Sequence, residues 1–249
     1  MIGARAKASL LRAALLLGLL GAAPALAGDR DLLQVLGYSE DGRYFAFESF
    51  GLDGASGQAH AAITIIDLAT GRPAESPAVV EADEEALEPL VMIRRRAQVL
   101  AARALSLRGI TQPADAIALY ADGTLPEGGR SLRFGLPGSG QFTDRLGDYR
   151  VVLSTVAVAR AEGCRGSEGS GPRGLLLRLE GDSGERRELH RDGILAAERG
   201  CPIDYRLHGV FVPFGDGTLE RGVVLVSAYE AGWEGTDRHF LAIPIGAGP

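Results

Sequence analysis

The sequence predicts a mainly β protein with one long α-helix, built from β-propeller-like or β-sandwich-like hairpins (all-β or α+β). Short apolar segments bounded by Gly, Pro or Asp recur between residues 44 and 245, which is typical of strands. One other segment repeats apolar residues every three or four positions, which is typical of a helix. The 35 Gly and 12 Pro among 249 residues supply many turns without reaching the level of disordered low-complexity chains.

The first 27 residues have the composition of a secretory signal peptide. Three cations and no acid accompany an apolar run at 13–20, and Ala25-Leu26-Ala27 is a small-x-small cleavage site. The apolar run is too short to span a bilayer, and Gly28 stands where a lipoprotein needs Cys, so we expect no membrane anchor. We predict cleavage near Ala27–Gly28 and a single periplasmic or secreted β-rich domain over 28–249.

The charge of the chain argues against nucleic acid as a partner. The whole chain has 26 cations and 32 acids, and without residues 1–27 it has 23 cations and 32 acids, a net charge of −9. A phosphate backbone is repelled by this average field. Lys7 is the only lysine and lies in the predicted signal peptide, so the exported chain cannot use lysine chemistry.

The clearest hairpin lies near the start of the predicted domain. Residues 44–48 (YFAFE) and 62–68 (AITIIDL) form two strand candidates separated by a glycine-rich connection, and we expect them to pair. Alternation places Phe45 and Phe47 on one face and Glu48 on the other.

The helix is predicted at about 83–108. A stripe of apolar residues follows this segment: Ala86, Leu90, Ile93, Ala97, Leu100, Ala104 and Leu107. Pro89 is tolerated only in a first turn, so the regular part is expected from Glu88 or Pro89, with an acidic start that complements the helix dipole. We interpret the arginines at 94–96 as a solvated face; an anionic partner is the alternative.

Further strands are predicted after Gly109, and the last two form a terminal hairpin. The candidates are 116–120, 131–134, 150–159, 174–179, 207–213, 222–229 and 240–245, with 163–171 as an exposed loop. Cys164 and Cys201 are the only cysteines, and an exported chain meets an oxidising compartment, so we predict a disulfide bond between them. A redox or metal-binding role is the alternative, but the CxxC spacing that favours it is absent.

Two resemblances follow from short motifs. Ser39-Glu40-Asp41-Gly42-Arg43 before a strand, with Asp67-Leu68-Ala69-Thr70-Gly71 after the next one, makes residues 36–72 resemble one blade of the TolB-type propeller repeat. Separately, Leu36–Ser39, Cys201-Pro202 and Gly232–Gly235, in this order, are similar to a family of predicted secreted bacterial proteins of unknown function. This resemblance implies export and a β-rich fold, and it implies no catalytic residue.

The motifs of common active sites are absent. The sequence has no G-x-S-x-G elbow, no HExxH spacing and no Asp-x-Asp-x-Asp loop, so we expect no catalytic residue, no metal and no cofactor. The best ligand-binding candidate is the connection of the terminal hairpin, where an aromatic ring lies among charged groups that orient a ligand. Its residues are Tyr229, Glu230, Trp233, Glu234, Asp237 and Arg238, and the alternative is that Trp233 covers a sheet edge.

These observations favour a non-catalytic binding or envelope-assembly module whose partner is an envelope protein or a glycan. The alternative is a hydrolase of an envelope polymer that pairs Glu48 or Asp53 with Glu230 or Glu234. Two such carboxylates have to face each other across a cleft at about 5–9.5 Å.

Overall fold

The computed structural model describes residues 28–83, 88–120, 122–123, 125–138, 145–158, 164, 171–195, 199–232 and 235–246. The first sheet is antiparallel, with the strand order β4-β3-β2-β1-β6, and β5 also pairs with β3. Its strands are β1 (Leu32–Ser39), β2 (Tyr44–Leu52), β3 (Ala59–Asp67), β4 (Arg72–Pro73), β5 (Ala78–Glu81) and β6 (Ile110–Gln112). The predicted pairing of residues 44–48 with 62–68 is confirmed as the β2–β3 hairpin.

Two four-stranded antiparallel sheets complete the fold. The middle sheet has the order β14-β13-β12-β7, and the third sheet has the order β11-β10-β9-β8. A 3₁₀ turn, Pro126–Gly129, precedes the third sheet. The strands are β7 (Ala114–Leu119), β8 (Ser131–Pro137), β9 (Arg145–Ala157), β10 (Arg173–Glu180), β11 (Arg186–Arg191), β12 (Pro202–Pro213), β13 (Val223–Ala231) and β14 (Thr236–Pro244).

The middle sheet is covered on both faces. Val224 and Val226 pack with residues of the third sheet, whereas Val223 and Leu225 pack with Phe45 and other residues of the first sheet. The sequence of a strand that is buried on both faces is a nearly continuous run of apolar residues, and β13 begins with Val-Val-Leu-Val. The three sheets therefore form successive layers with the β13 strand inside the stack.

The helix α1 (Leu90–Leu107) covers the other face of the first sheet. It begins later than residue 83 because Pro89, in extended conformation, is its N-cap; residues 84–87 of the predicted acidic start lie outside the described residues. The predicted stripe is wrong in its second half. Ile93, Ala97 and Ala101 are buried, whereas Leu100 and Leu107 are 60% and 73% exposed.

The predicted fold class, mainly β with one long helix, is confirmed by these elements. The predicted disulfide between Cys164 and Cys201 is present, with a Cα–Cα distance of 5.5 Å. The predicted signal peptide and most of the predicted loop at 163–171 lie outside the described residues. Within the described part, no helix has the length and apolar character needed to cross a membrane.

Candidate functional site

The described residues of the predicted ligand site lie at the turn end of the β13–β14 hairpin, next to the connection between the two strands. Glu230 is directly opposite Asp237, and Tyr229 is directly opposite Arg238. Opposite residues of an antiparallel pair share a face and successive residues alternate, so the two pairs point to different faces of the middle sheet. Trp233 and Glu234 lie outside the described residues. The described candidates therefore do not form one continuous patch.

Arg238 ties the N-terminal segment to the middle sheet. Its side chain is 4% exposed; Nε donates to the carbonyl oxygen of Asp31 at 3.0 Å, and a terminal nitrogen lies 2.5 Å from a carboxylate oxygen of Asp122. Beside it, the backbone N–H of Asp29 donates to Asp237 Oδ1 at 2.9 Å. Both predicted site residues thus hold residues 29–31 against the edge of β14.

Glu230 instead contacts the segment that carries the disulfide. Its Oε2 accepts a hydrogen bond from the backbone N–H of Cys201 at 3.0 Å, and its Oε1 lies 3.4 Å from His239 Nδ1. Burial lowers the pKa of His239, so this ring favours its neutral form. Glu230 therefore anchors the strand that follows the disulfide.

A third polar cluster surrounds Asp192 at the end of β11. The Asp192 carboxylate lies 2.7 Å from His190 Nε2, accepts hydrogen bonds from Arg199 at 2.7 and 2.8 Å, and accepts the backbone N–H of Leu175 at 2.7 Å. Burial alone raises the pKa of this carboxyl, but the His190 hydrogen bond and the Arg199 charge outweigh burial and lower the pKa to about 2. Asp192 is thus a buried anion that joins β10 and β11 to Arg199.

A histidine–carboxylate pair joins Asp31, the residue before β1, to His60 of β3. His60 Nε2 is 2.5 Å from Asp31 Oδ1, and this hydrogen bond raises the pKa of His60. Gly51 lies opposite His60, where an added Cβ would be 3.0 Å from Asp31 Oδ1 and 3.2 Å from the His60 ring. The glycine therefore leaves room for the pair.

Glu48 and Asp53 have structural partners of their own. Glu48 is fully buried and bonded to Arg94 of α1, so its side chain points to the helix side of the first sheet. Glu230 points the opposite way, since it follows Ala228 on the face of β13 that meets the third sheet. Asp53 accepts hydrogen bonds from the backbone N–H groups of Ala55 and Ser56 in its own turn. Glu48 and Glu230 therefore do not face each other across a cleft.

No strand or other helix of the described residues packs against the outer face of α1. We give this name to the residues that point away from the first sheet: Val91, Met92, Arg95, Arg96, Val99, Leu100, Arg103 and Leu107. Val91, Val99 and Leu107 are each 70% or more exposed. Arg94, which the sequence places on a solvated face, is different, because it packs over the Phe50 ring at 3.7 Å and pairs with Glu48.

The sequence analysis does not predict this surface, because it places Leu100 and Leu107 in the core stripe and gives Met92 and Val99 no role. The segment LVMIRRRAQVLAARALSL has apolar residues on both faces, and only one face can lie against a sheet. The signal was available in Met92 and Val99, which are seven residues apart and outside the core stripe.

No group of three or more His, Cys, Asp or Glu side chains in the described ranges is arranged to hold a metal ion. In the comparison with known proteins, a family model described as "Predicted secreted protein (DUF2259)" matches residues 46–246. No curated protein matches the sequence.

Proposed function

The chain belongs to the predicted secreted protein family DUF2259, and from this premise we propose that it is an exported, non-catalytic binding module that attaches to the cell envelope through the outer face of α1. The predicted signal peptide supports a periplasmic location after cleavage near Ala27–Gly28. Binding is the best-supported activity. The described polar candidates Glu48, Glu230 and Arg238 form hydrogen bonds and ion pairs within the fold, whereas the apolar side chains on the outer face of α1 are exposed.

The observation that carries this proposal is the exposure of apolar side chains on a helix that already has a complete core stripe. Ile93, Ala97 and Ala101 bury the inner face of α1 without Met92, Val99 or Leu107. Folding therefore does not require the outer apolar residues. Exposed apolar surface that is concentrated on one element is typical of an interaction site.

The alternative, a hydrolase with paired carboxylates, has less support. Retaining and inverting hydrolases need two carboxyl groups at about 5–9.5 Å across a substrate cleft. Glu48 is buried in an ion pair, and Glu230 holds the backbone of Cys201 on a different face. The hairpin also stays a predicted ligand surface, with the exposed parts of Tyr229 and Asp237 available to a ligand.

Isolated envelopes test the proposal. The purified exported protein is expected to bind envelopes saturably, and a Met92→Ser/Val99→Ser variant is expected to lose most of this binding. Both residues are exposed, so the variant should fold normally, which circular dichroism checks. The matched control is Tyr229→Ala/Asp237→Asn, which changes the hairpin. Loss of binding in the hairpin variant and retention in the helix variant would overturn the assignment to α1.

A further inference from the structure

The charge of α1 is opposite to that of the chain that carries it. The helix has four arginines, at 94, 95, 96 and 103, and no acidic residue, whereas the whole chain has 32 acids and 26 cations. Arg94 is paired with Glu48, and Arg96 with Glu88. No ion pair joins Arg95 or Arg103 to another described residue. The outer face therefore presents positive charge, which suits an anionic partner.

Apolar and basic side chains share this face in a regular order. Since one helical turn takes 3.6 residues, Met92 and Val99 point in almost the same direction, with Arg95 on one side of them and Arg103 on the other. Leu107, eight residues after Val99, lies about 80° further around the helix axis, on the Arg103 side. At 1.5 Å per residue, the stretch from Met92 to Leu107 is about 22 Å long. Aliphatic side chains flanked by arginines are typical of helices that lie in a lipid interface.

The position of α1 in the fold favours a surface over a groove as the partner. The helix covers the outer side of the first sheet, so its outer face is a ridge on the outermost layer of the stack. A planar bilayer contacts such a ridge along its whole length. A second copy of the chain is disfavoured, because pairing two α1 helices would place the arginines of one against those of the other.

We infer that the outer face of α1 docks the exported protein reversibly on an anionic lipid surface. This inference rests on the proposed function and names its partner. Met92 and Val99 insert between the lipid head groups, Leu107 contacts the lipid beside Arg103, and Arg95 and Arg103 bind lipid phosphates from either side of Met92 and Val99. A guanidinium donates two parallel hydrogen bonds to a phosphate, which suits arginine to this contact. Glu88 lies beside the N-terminal part of this face, where it pairs with Arg96, so Arg95 and Arg103 supply the contacts with lipid.

Vesicle sedimentation tests the inference. The purified exported protein is expected to bind vesicles of phosphatidylcholine and phosphatidylglycerol, and to bind phosphatidylcholine alone much less. Arg95→Gln/Arg103→Gln should weaken binding about fivefold per arginine removed. Met92→Ser/Val99→Ser should weaken it at least about tenfold. Raising the salt from about 0.1 M to about 1 M shortens the Debye length from about 10 Å to about 3 Å, so binding should fall.

Two variants on the third-sheet side are the matched controls for the α1 variants. Ile194→Ser and Arg187→Gln change an exposed apolar residue and an exposed arginine on the third-sheet side, and both should bind as the wild type does. Equal binding to both vesicle types, or no loss in either α1 variant, overturns the inference. Envelope binding that depends on Met92 and Val99 without any binding to vesicles leaves the proposed function in place and assigns the helix to a protein or glycan partner instead.

Discussion

Arg94 and Glu48 form a buried ion pair that joins α1 to the first sheet. Arg94 Nε donates to Glu48 Oε1 at 2.9 Å and a terminal nitrogen donates to Oε2 at 2.8 Å, while Glu48 is 0% exposed. The hydrogen bonds to Glu48 raise the pKa of Arg94. We expect Arg94→Met to lower the free energy of unfolding by about 3–5 kcal/mol, since it leaves a buried carboxylate without a partner. Chemical denaturation measures this loss.

The double variant Glu48→Leu/Arg94→Met distinguishes a lost charge pair from lost packing. Replacing both members of a buried pair with apolar residues is often neutral, because the desolvation cost of both ions disappears. We therefore expect the double variant to recover most of the stability lost in Arg94→Met. A double variant as unstable as the single one would mean that Arg94 stabilises the helix through its stacking on Phe50.

The second stability prediction concerns the disulfide bond between Cys164 and Cys201. Cys164 and Cys201 are 37 residues apart, and closing a loop of this length stabilises the folded state by about 3–4 kcal/mol in the chain-entropy model. We expect Cys164→Ala/Cys201→Ala to unfold at correspondingly lower denaturant concentration. Mass measurement after alkylation, with and without reduction, checks the bond itself. Two thiols that react with the alkylating reagent before reduction would contradict it.

Local features of this fold were predictable from the sequence, and non-local ones were not. The β2–β3 hairpin follows from its two short apolar segments, and the two faces of β2 follow from the alternation of Phe45 and Phe47 with Tyr44, Ala46 and Glu48. Strand β11 (RRELHR) was missed because it lacks an apolar alternation. The pairing of β7 with β12 joins segments about ninety residues apart, and neither segment carries a signal for the other.

The buried face of α1 could not be predicted from the sequence of the helix for the same reason. The apolar steps 93, 97, 100, 104 and 107 average 3.5 residues, and this spacing drifts around an α-helix of 3.6 residues per turn. The observed core stripe takes steps of four, through Ile93, Ala97 and Ala101, and meets Ala59 and Ala61 of β3. Which of two apolar faces is buried depends on the partner surface, and the helix sequence alone does not contain that information.

The His60–Asp31 pair predicts a pH-dependent contribution to stability. The hydrogen bond to Asp31 raises the pKa of His60 above its ordinary value of 6.5, with Asp29 and Glu81 adding negative charge nearby. A raised pKa stabilises the fold fully below the unfolded value, and the contribution disappears as pH rises through the folded value. The stability difference between wild type and His60→Gln should therefore be larger at about pH 5 than at about pH 9.

Comparison of the two proteins at each pH isolates His60 from the other histidines. Burial lowers the pKa of His208 and His239, so protonation of these rings opposes folding as pH falls. The contributions of His208 and His239 are the same in wild type and in His60→Gln, so they cancel in the difference between the two unfolding free energies. A difference that stays constant between about pH 5 and about pH 9 would contradict the prediction.

The contribution of Asp192 to stability is expected to depend on pH in the opposite direction to that of His60. Burial opposes its charge, but the His190 hydrogen bond and Arg199 prevail and lower its pKa from 3.8 to about 2. A lowered pKa stabilises the fold above the unfolded value, so this contribution, on the order of 2 kcal/mol, is lost as pH falls from about 4 to about 2. Asp192→Asn should therefore be less stable than wild type at neutral pH, and the two unfolding free energies should converge in acid. Asp182→Asn, in an exposed turn, is the matched control and should leave the acid dependence unchanged. Equal stability of Asp192→Asn and wild type at neutral pH would mean that Arg199 and His190 do not stabilise the fold through this carboxylate.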